Sequence, residues 1–139
     1  MKNHDNETKT LRELTDELIL RDEELRISEE KFRILFCVNK SPIMIYSLND
    51  DLIKNVNLSF CDASGYSEEE LLGTNGDFLY VIPNTRLDVI KYIKEFGFIE
   101  NFAVTLKRKD NKIIPCLFST QPLVEGQVSI FVSVIEVNK

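Results

Sequence analysis

The groups that could carry chemistry in this 139-residue chain are one histidine, three cysteines and two clusters of carboxylates. Acid–base or nucleophilic catalysis requires such a group to lie beside a partner base in a cleft. His4 lies in a polar leader, where we expect a disordered surface residue. Asp50 and Asp51 fall in a predicted turn, and Glu68–Glu70 fall at a predicted helix start. The sequence therefore predicts no catalytic residue and no enzymatic activity for this chain.

The three cysteines do not form a metal-binding or disulfide pattern. Cys37, Cys61 and Cys116 are odd in number and include no C-x-x-C pair. Structural zinc sites and disulfide frameworks need clustered or paired cysteines. We therefore expect no metal site, and we interpret all three cysteines as buried, reduced thiols.

The formal net charge of −6 is concentrated in the first 30 residues, which hold ten acids and five bases. Because the rest of the chain is close to neutral, it does not attract nucleic-acid phosphates or anionic membranes, and we expect neither as a partner. No apolar run approaches the roughly 20 residues of a membrane-spanning helix, and the N-terminus lacks the apolar segment of a secretion signal. We expect a cytoplasmic protein.

Apolar residues recur every seven positions in the first part of the chain, as in a coiled coil. This apolar seam consists of Leu11, Leu14, Leu18, Leu25, Phe32 and Leu35, and it is interrupted at Arg21 and Ser28. We predict a helical lead-in over residues 1–30 that pairs with a second copy as a dimer stalk. A single solvated helix lying on its own domain is the alternative. Ser28, followed by two acids, could also cap a new helix and break the stalk before the body.

Residues 31–139 are predicted to form one folded domain. Two short strands, "IMIYSLN" and "LIKNV", are joined by a turn at Asp50-Asp51. Three later strands are predicted at "NFAVTLKRK", "KIIPCLFST" and "QVSIFVSVIEVN". Pro115 cannot donate to a ladder, so we expect a bulge there. Before them, "NTRLDVIKYIKEFG" predicts a longer helix with an apolar stripe of Leu87, Val89, Ile90, Ile93 and Phe96.

The stretch from Asn57 to Gly73 predicts two short, capped helices. Asn57 can cap the first helix, and Gly65 can end it in the left-handed conformation. Ser67 and Glu70 have the spacing of a capping box around the second helix, which Gly73 can terminate. Tyr66 and Leu71 are placed to form its hydrophobic staple. These residues are therefore expected to build structure and not to perform chemistry.

The first and last strands are apolar on both faces. In the last strand, Phe131 and Ile135 lie opposite the face that carries Val128 and Ile130, and Val137 follows the same alternation. An antiparallel sheet usually leaves one face in water, so a two-sided apolar strand requires a cover. We expect the cover to come from the apolar end of the lead-in helix, Phe32, Leu35 and Phe36, together with the same surface of a second copy.

Four linked motifs carry a family resemblance. Eight positions, Asn57, Phe60, Gly65, Tyr66, Glu69, Glu70, Leu71 and Gly73, match the PAS-domain signature N-x-x-F-x-x-x-x-G-Y-x-x-E-E-L-x-G. "SEEKFR" is similar to the segment that opens many such domains, and "LKRKDNK" resembles their R-K-D-G hairpin with Asn111 in place of Gly. "VIEVN" resembles the closing V-x-D-I-T motif. The resemblance covers residues 28–139.

The resemblance implies an α+β fold, in which a five-stranded antiparallel sheet has short helices packed on one face. It also implies a sensory or signal-relay module that forms a homodimer and passes a conformational change through flanking helices to an output domain of the same parent protein. A two-component histidine kinase, working through a phosphorelay, is the expected parent. A cyclic-dinucleotide synthase, or a passive dimerisation scaffold without a ligand, is the alternative.

The resemblance also bears on cofactors. No histidine follows His4, so haem held by a proximal histidine is not expected. "GTNGDFLY" resembles the G-x-N-C-R-F-L-Q segment of flavin photoreceptors, but Gly76 stands where their adduct-forming cysteine lies. An adduct-forming flavin is therefore not expected. The two possibilities that remain for the interior pocket are a small organic ligand and no ligand.

A ligand pocket would lie between the sheet and the helices. We expect aromatic side chains to converge there, namely Phe60, Phe78, Tyr92, Phe96 and Phe102. Arg86 could face an anionic ligand, with Tyr92 as a second polar contact. The alternative, which we favour, is that the aromatic residues form the core and that Arg86 pairs with a nearby carboxylate.

Overall fold

The computed structural model describes residues 10–135. His4, Val137 and most of the closing "VIEVN" motif lie outside these residues, so the expectations for them stay predictions. The chain divides into two compact units, Met1–Phe36 and Cys37–Lys139.

The helix α1 spans Leu11–Val38, and all but its last two residues belong to the first unit. Thr10 caps its start, because the Thr10 hydroxyl accepts a hydrogen bond from the backbone N–H of Glu13 at 3.2 Å. The helix continues through Ser28, so the predicted break there is wrong. No glycine or proline follows Ser28 within the helix, and nothing else in that stretch stops it. The predicted domain boundary at residue 30 therefore falls inside the helix.

The second unit is an α+β domain with a five-stranded antiparallel sheet, as predicted. The strands lie in the order β2-β1-β5-β4-β3. Their bounds are β1 Ile43–Ser47, β2 Leu52–Val56, β3 Phe102–Lys107, β4 Ile113–Pro122 and β5 Gln127–Val134. Three α-helices lie between β2 and β3 in the chain, namely α2 Leu58–Ser64, α3 Glu68–Leu71 and α4 Thr85–Phe96.

Asn57 joins the start of α2 to the start of the sheet. Its side-chain oxygen accepts hydrogen bonds from the backbone N–H of Phe60 at 3.0 Å and of Ile43 at 2.9 Å. Its side-chain nitrogen donates to the carbonyl of Ser41 at 2.8 Å. The residue is 1% exposed. The predicted cap is confirmed, and the same side chain also fixes the segment that leads into β1.

The capping box of α3 is also confirmed. The Ser67 hydroxyl accepts from the Glu70 N–H at 3.2 Å, and the Glu70 carboxylate accepts from the Ser67 N–H at 3.0 Å. Gly65 ends α2 with φ of 79°. Gly73 does not end α3, because the helix stops at Leu71 and the Gly73 N–H donates to a strand instead.

The β3–β4 hairpin holds both short helices. Lys109 pairs with Glu70 at 2.7 Å, and Arg108 donates to the carbonyl of Ala63 at the end of α2 at 3.1 Å. The Lys109 N–H donates to the carbonyl of Ser64 at 2.9 Å. The signature residues therefore serve to pack two capped helices against a hairpin.

One segment bonds to both edge strands of the sheet. We call residues 73–81 the strap. At one end, the strap exchanges hydrogen bonds with Ile53 in β2, and at the other the Val81 N–H donates to Thr105 in β3 at 3.2 Å. Gly76 lies between these ends with φ of 73°, and a Cβ atom there would lie 2.9 Å from the Cδ1 atom of Ile53. A glycine is therefore required where the strap crosses the interior.

Pro115 does not produce the predicted bulge. It pairs in regular register with Thr105, and the described irregularity in the sheet lies between Ile45 and Tyr46. The carbonyl of Pro115 accepts from the Ile135 N–H, so the proline nitrogen faces the β5 side as well. The described pairing of β4 with β5 begins at Cys116, which lies opposite Val134. The missing N–H of Pro115 thus falls just beyond the end of that ladder and interrupts no bond within it.

The two faces of the sheet differ in burial. The inner face carries the core, which includes Met44, Tyr46, Ile53, Phe118, Val128, Ile130 and Val132. On the outer face, Ile43 and Ile45 are buried, whereas Phe131 and Ile135 are exposed. The two-sided apolar character is therefore clearest at β1. The predicted cover by Phe32, Leu35, Phe36 and a second copy stays a prediction.

We predict that Asn57→Ala destabilises the domain by about 2 to 4 kcal/mol. The change removes a helix cap, leaves the buried backbone N–H of Ile43 without its side-chain acceptor, and removes the bond to the Ser41 carbonyl. Asn75→Ala is the matched control, since Asn75 is exposed and accepts a single bond from the Asp77 N–H. Urea unfolding followed by circular dichroism measures both variants. Equal destabilisation of the two would contradict the role of Asn57.

Candidate functional site

A small cavity lies between the inner face of the sheet and α4. Its volume is about 10 Å³, which is the space that one water molecule needs. The cavity is lined by Met44, Tyr46, Asn75, Gly76, Leu79, Tyr80, Arg86, Val89, Ile90, Ile93 and Ile130. The sheet, the strap and α4 each supply part of the wall. A second cavity of similar volume lies nearer α2 and is lined mainly by apolar side chains, among them Phe60, Leu106 and Val132.

The predicted aromatic convergence is wrong. Phe60 is buried in the core, and Phe102 packs against it in a half-buried position. Phe78, Tyr92 and Phe96 are exposed. Three of the five aromatic residues therefore lie at the surface, away from both cavities.

The helical period of α4 explains this result. Val89 and Ile93 are the buried residues of the helix, four positions apart on one face. Tyr92 and Phe96 lie on a different face, where their rings stack with centroids 5.9 Å apart. Tyr92 also contacts the ring of Phe102 at 5.3 Å. The predicted stripe included Leu87 and Phe96, and both of these are exposed.

Arg86 is held by two carboxylates. Its Nη1 donates to the Asp51 carboxylate at 2.5 Å, and its Nε donates to the Asp77 carboxylate at 3.2 Å. We call this group of three residues the Arg86 clasp. Burial by itself would lower the pKa of Arg86, but the hydrogen bonds to Asp77 and Asp51 outweigh it and raise that pKa. The structure thus agrees with the alternative in which Arg86 pairs with nearby carboxylates.

The clasp ties three parts of the domain together. Asp51 lies in the β1–β2 hairpin with φ of 59°, and Asp77 opens a 3₁₀ turn within the strap. Arg86 lies in the first turn of α4, and its side chain is 12% exposed. The partners are 35 and 9 residues away in the chain. Sequence alone carried no signal that would select these two carboxylates among the others.

Of the lining residues, only Arg86 was predicted as a site residue, and Tyr46 is the polar one among the others that is fully buried. It is 4% exposed, and its hydroxyl has no hydrogen-bond partner among residues 10–135. The alternation of β1 could have found it, because Met44 and Tyr46 lie on the same face of the strand. A buried tyrosine hydroxyl usually has a hydrogen-bond partner, so an unpaired hydroxyl in the lining of this cavity is unusual.

Burial favours the neutral forms of one tyrosine and two thiols near the interior. Burial raises the pKa of the Tyr80 hydroxyl well above its ordinary value and raises that of the Cys116 thiol to about 11. Burial also raises the pKa of Cys61. Of the three cysteines, only Cys116 is buried, whereas Cys37 is exposed and Cys61 is half-buried. The interpretation of all three as buried thiols is thus correct for Cys116 alone.

Among the residues that the structure describes, no group of three or more histidine, cysteine or acidic side chains could hold a metal ion. Within the same part of the chain, no helix is long and apolar enough to cross a membrane.

The seam residues proposed for dimerisation are exposed along α1. They are Leu11, Leu14, Leu18, Leu25, Phe32 and Leu35. Phe36 is half-buried, and its ring stacks on Phe32 with centroids 5.5 Å apart. The two other residues predicted at the dimer interface are also exposed: Phe131 lies in β5, and Ile135 directly follows that strand.

Comparison with known proteins gives a consistent result. The family model of the PAS domain matches residues 40–138. The structure is similar to the PAS domain of an HTR-like protein from Haloarcula marismortui, with a TM-score of 0.69 and 21% identity over 83% of this chain and 98% of that one. It is also similar to a domain of a sensory box sensor histidine kinase/response regulator from Geobacter sulfurreducens, with a TM-score of 0.66 and 19% identity over 78% and 95% of the two chains.

A third similar structure is the LOV protein of Rhodobacter sphaeroides, with a TM-score of 0.68 and 17% identity over 79% of this chain and 68% of that one. A comparison with curated proteins found no significant match. Because the sequence identity to these three structures is 17–21%, the structural similarity shows the fold alone.

We predict that Arg86→Met destabilises the domain by about 1 to 2 kcal/mol. The exposed carboxylates weaken each ion pair, but the guanidinium is largely buried and joins two of them. Raising the salt concentration to about 1 M should reduce the difference in stability between the variant and the wild type, because the carboxylate partners are accessible to ions. Lys54→Met, which removes the more exposed pair of Lys54 with Asp50, is the control and should have a smaller effect. Thermal unfolding at two salt concentrations measures both, and no loss of stability in Arg86→Met would refute the clasp.

Proposed function

The chain belongs to the PAS domain family, and from that premise we propose that it is the sensory and signal-relay module of a larger signalling protein. The proposed parent is a two-component histidine kinase. The chain forms a homodimer through the seam of α1, and the output domain is a separate part of the same parent protein. This chain itself contributes no catalytic group.

The exposed seam of α1 is the observation that carries this proposal. The helix is 28 residues long and has no buried residue. An isolated helix with an exposed row of large apolar side chains gains stability by pairing with a second helix of the same period. Phe131 and Ile135 add exposed apolar surface on the sheet. A second copy of the chain would bury both.

The segment between α1 and β1 supports a relay. Residues 39–42 separate the end of the helix from the first strand. The carbonyl of Asn39 accepts from the Ser59 hydroxyl at 2.6 Å, and the carbonyl of Pro42 accepts from the Val132 N–H at 3.0 Å. Together with the bond from Asn57 to the Ser41 carbonyl, these bonds attach the segment both to the start of α2 and to β5. A segment held in this way can transmit a displacement and does not absorb it as a flexible linker would.

Two further proposals concern the signal and the output. A passive dimerisation scaffold is the second candidate function, and the small volume of the interior cavities favours it. A cyclic-dinucleotide synthase is the alternative parent. We do not propose light sensing through a flavin adduct, because Gly76 stands at the position of the reactive cysteine.

We predict that Leu18→Asp with Leu25→Asp converts a dimer into a monomer. Both residues lie on the seam, and two buried carboxylates in a paired helix interface would be strongly unfavourable. Light scattering after size-exclusion chromatography should show the mass falling by half. Leu20→Asp with Ile27→Asp is the matched control, since these residues are also exposed but lie off the seam. The dimer is contradicted if the seam variant keeps the wild-type mass, or if both pairs of substitutions have the same effect.

A chimera tests the relay itself. A histidine kinase catalytic core is fused after Lys139, and either two or seven residues are inserted after Glu24 in α1. Two residues rotate the preceding part of the helix by about 200°, whereas seven restore the phase of the seam. We expect autophosphorylation to change with two inserted residues and to stay near the wild-type rate with seven, while light scattering shows dimers in both. Equal rates in all three chimeras would favour the passive scaffold.

A further inference from the structure

The strap contains the one Asn-Gly pair of the sequence, Asn75-Gly76. Asparagine is a thermally labile residue. A following glycine makes it more reactive, because glycine has no Cβ atom to keep its backbone nitrogen away from the asparagine side chain. Asn75 is exposed, whereas Gly76 is buried. The proposed function gives this pair no role, so its reactivity is a separate property of the strap.

The reaction that such a pair undergoes is intramolecular deamidation. The backbone nitrogen of Gly76 loses its proton and attacks the side-chain carbonyl carbon of Asn75. A bond forms between these two atoms, the bond from that carbon to the side-chain nitrogen breaks, and the side-chain nitrogen leaves as ammonia. Water then opens the cyclic imide. Opening at the side-chain carbonyl gives aspartate, and opening at the main-chain carbonyl gives isoaspartate, in which the main chain runs through the side chain and is one atom longer.

Two hydrogen bonds oppose this reaction in the folded domain. The side-chain oxygen of Asn75 accepts from the Asp77 N–H at 2.9 Å, and the Gly76 N–H donates to the Thr74 hydroxyl at 3.3 Å. The first bond fixes the amide that must be attacked, and the second engages the proton that Gly76 must lose. The reaction therefore proceeds when the strap opens locally, and its rate in the folded chain depends on the fraction of time for which the strap is open.

The Arg86 clasp limits how often the strap opens. Asp77 directly follows the reactive pair, and its carboxylate accepts from the Arg86 Nε at 3.2 Å. Arg86 is held in place from the other side by Asp51, and its side chain is largely buried. The clasp therefore fixes the strap at the residue next to the reaction, and a strap without this contact opens more often.

The isoaspartate product does not fit the closed strap. The carbonyl of Thr74 accepts from the Ile53 N–H at 2.7 Å, and the carbonyl of Asp77 accepts from the Tyr80 N–H at 3.2 Å. The longer chain would have to fit between these fixed points. There is no space for it, because a Cβ atom on Gly76 would already lie 2.9 Å from the Cδ1 atom of Ile53. The new carboxylate also adds a negative charge two residues before Asp77, so the strap has to leave the edge of β2.

We propose that Asn75 is a site of spontaneous chemical modification, at which deamidation to isoaspartate is gated by the opening of the strap and then releases the strap from β2. The reaction needs no partner other than water. The modified domain keeps its core but has lost one of the two edge contacts of the strap. This inference concerns the folded domain alone and goes beyond the proposed sensory function.

The test follows isoaspartate in the 139-residue chain during incubation in a mildly alkaline buffer. Peptide mass mapping locates the deamidated residue, and enzymatic methylation of isoaspartate measures its amount. A synthetic peptide of residues 71–79 gives the rate of the open chain. We expect the peptide to react at least about tenfold faster than the folded chain, because folding keeps the strap closed for most of the time. Asn75→Gln should abolish the reaction, since its longer side chain forms a larger ring far more slowly.

Two substitutions test the gate. Asp77→Ala removes the strap side of the clasp and keeps the backbone N–H that Asn75 binds, so it should raise the rate about three- to tenfold. The same change in the peptide corrects for any effect on the chemistry itself. Lys54→Met, which removes an ion pair outside the strap, should keep the wild-type rate. If Asp77→Ala proves unfolded by circular dichroism, Arg86→Met breaks the same contact from α4 and takes its place.

Release of the strap has its own measurement. Hydrogen exchange at the Ile53 amide should be slow in the fresh chain and fast in the chain that carries isoaspartate. The proposal is overturned if the folded chain accumulates isoaspartate at position 75 no faster than Asn75→Gln, if loss of the clasp leaves the corrected rate unchanged, or if the Ile53 amide stays protected after modification. None of these measurements depends on dimerisation or on a kinase core, so a failure here is distinguishable from a failure of the proposed function.

Discussion

An open five-stranded sheet has two edge strands, and in this domain one short segment forms backbone hydrogen bonds with both of them. Unpaired edge strands expose backbone donors and acceptors and invite association with other chains. The strap, residues 73–81, bonds to Ile53 in β2 and to Thr105 in β3. Gly76 lets the strap pass close to Ile53, and the Arg86 clasp pins its middle to α4 and to the β1–β2 hairpin. The cavity lies beneath the strap, so the edges of the sheet, the clasp and the interior are mechanically linked.

The signature from Asn57 to Gly73 makes this closure possible. Four of its residues begin or end short helices: Asn57 and Ser67 begin helices, Gly65 ends one, and Glu70 completes a capping box. Together they turn the chain twice within 17 residues and deliver it to the edge of β2. Lys109 and Arg108 in the β3–β4 hairpin then hold the two helices in place. The motif is thus a means of positioning the strap.

The two units favour a division of roles. The helix α1 exposes an apolar seam that is interrupted at Arg21 and Ser28, whereas the body has a closely packed interior with small cavities. The interior chemistry is neutral, because Arg86 is paired and burial keeps Tyr80 and Cys116 protonated. Groups of this kind can bind and position a small molecule, but they are poorly suited to proton transfer at neutral pH.

Local features of this protein could be predicted from the order of its residues. Helix caps, the capping box, the strand alternation and the heptad seam each depend on residues within about seven positions, and the family resemblance implied the fold class. Where long side chains point, and which distant groups meet, is visible only in the folded domain. Tyr92 and Phe96 face outward because Val89 and Ile93 take the inner side of α4, and Pro115 keeps its register because the ladder ends beside it. The pairing of Arg86 with Asp51 and Asp77, and the unpaired hydroxyl of Tyr46, depend on packing between segments far apart in the chain, about which local sequence patterns carry no information.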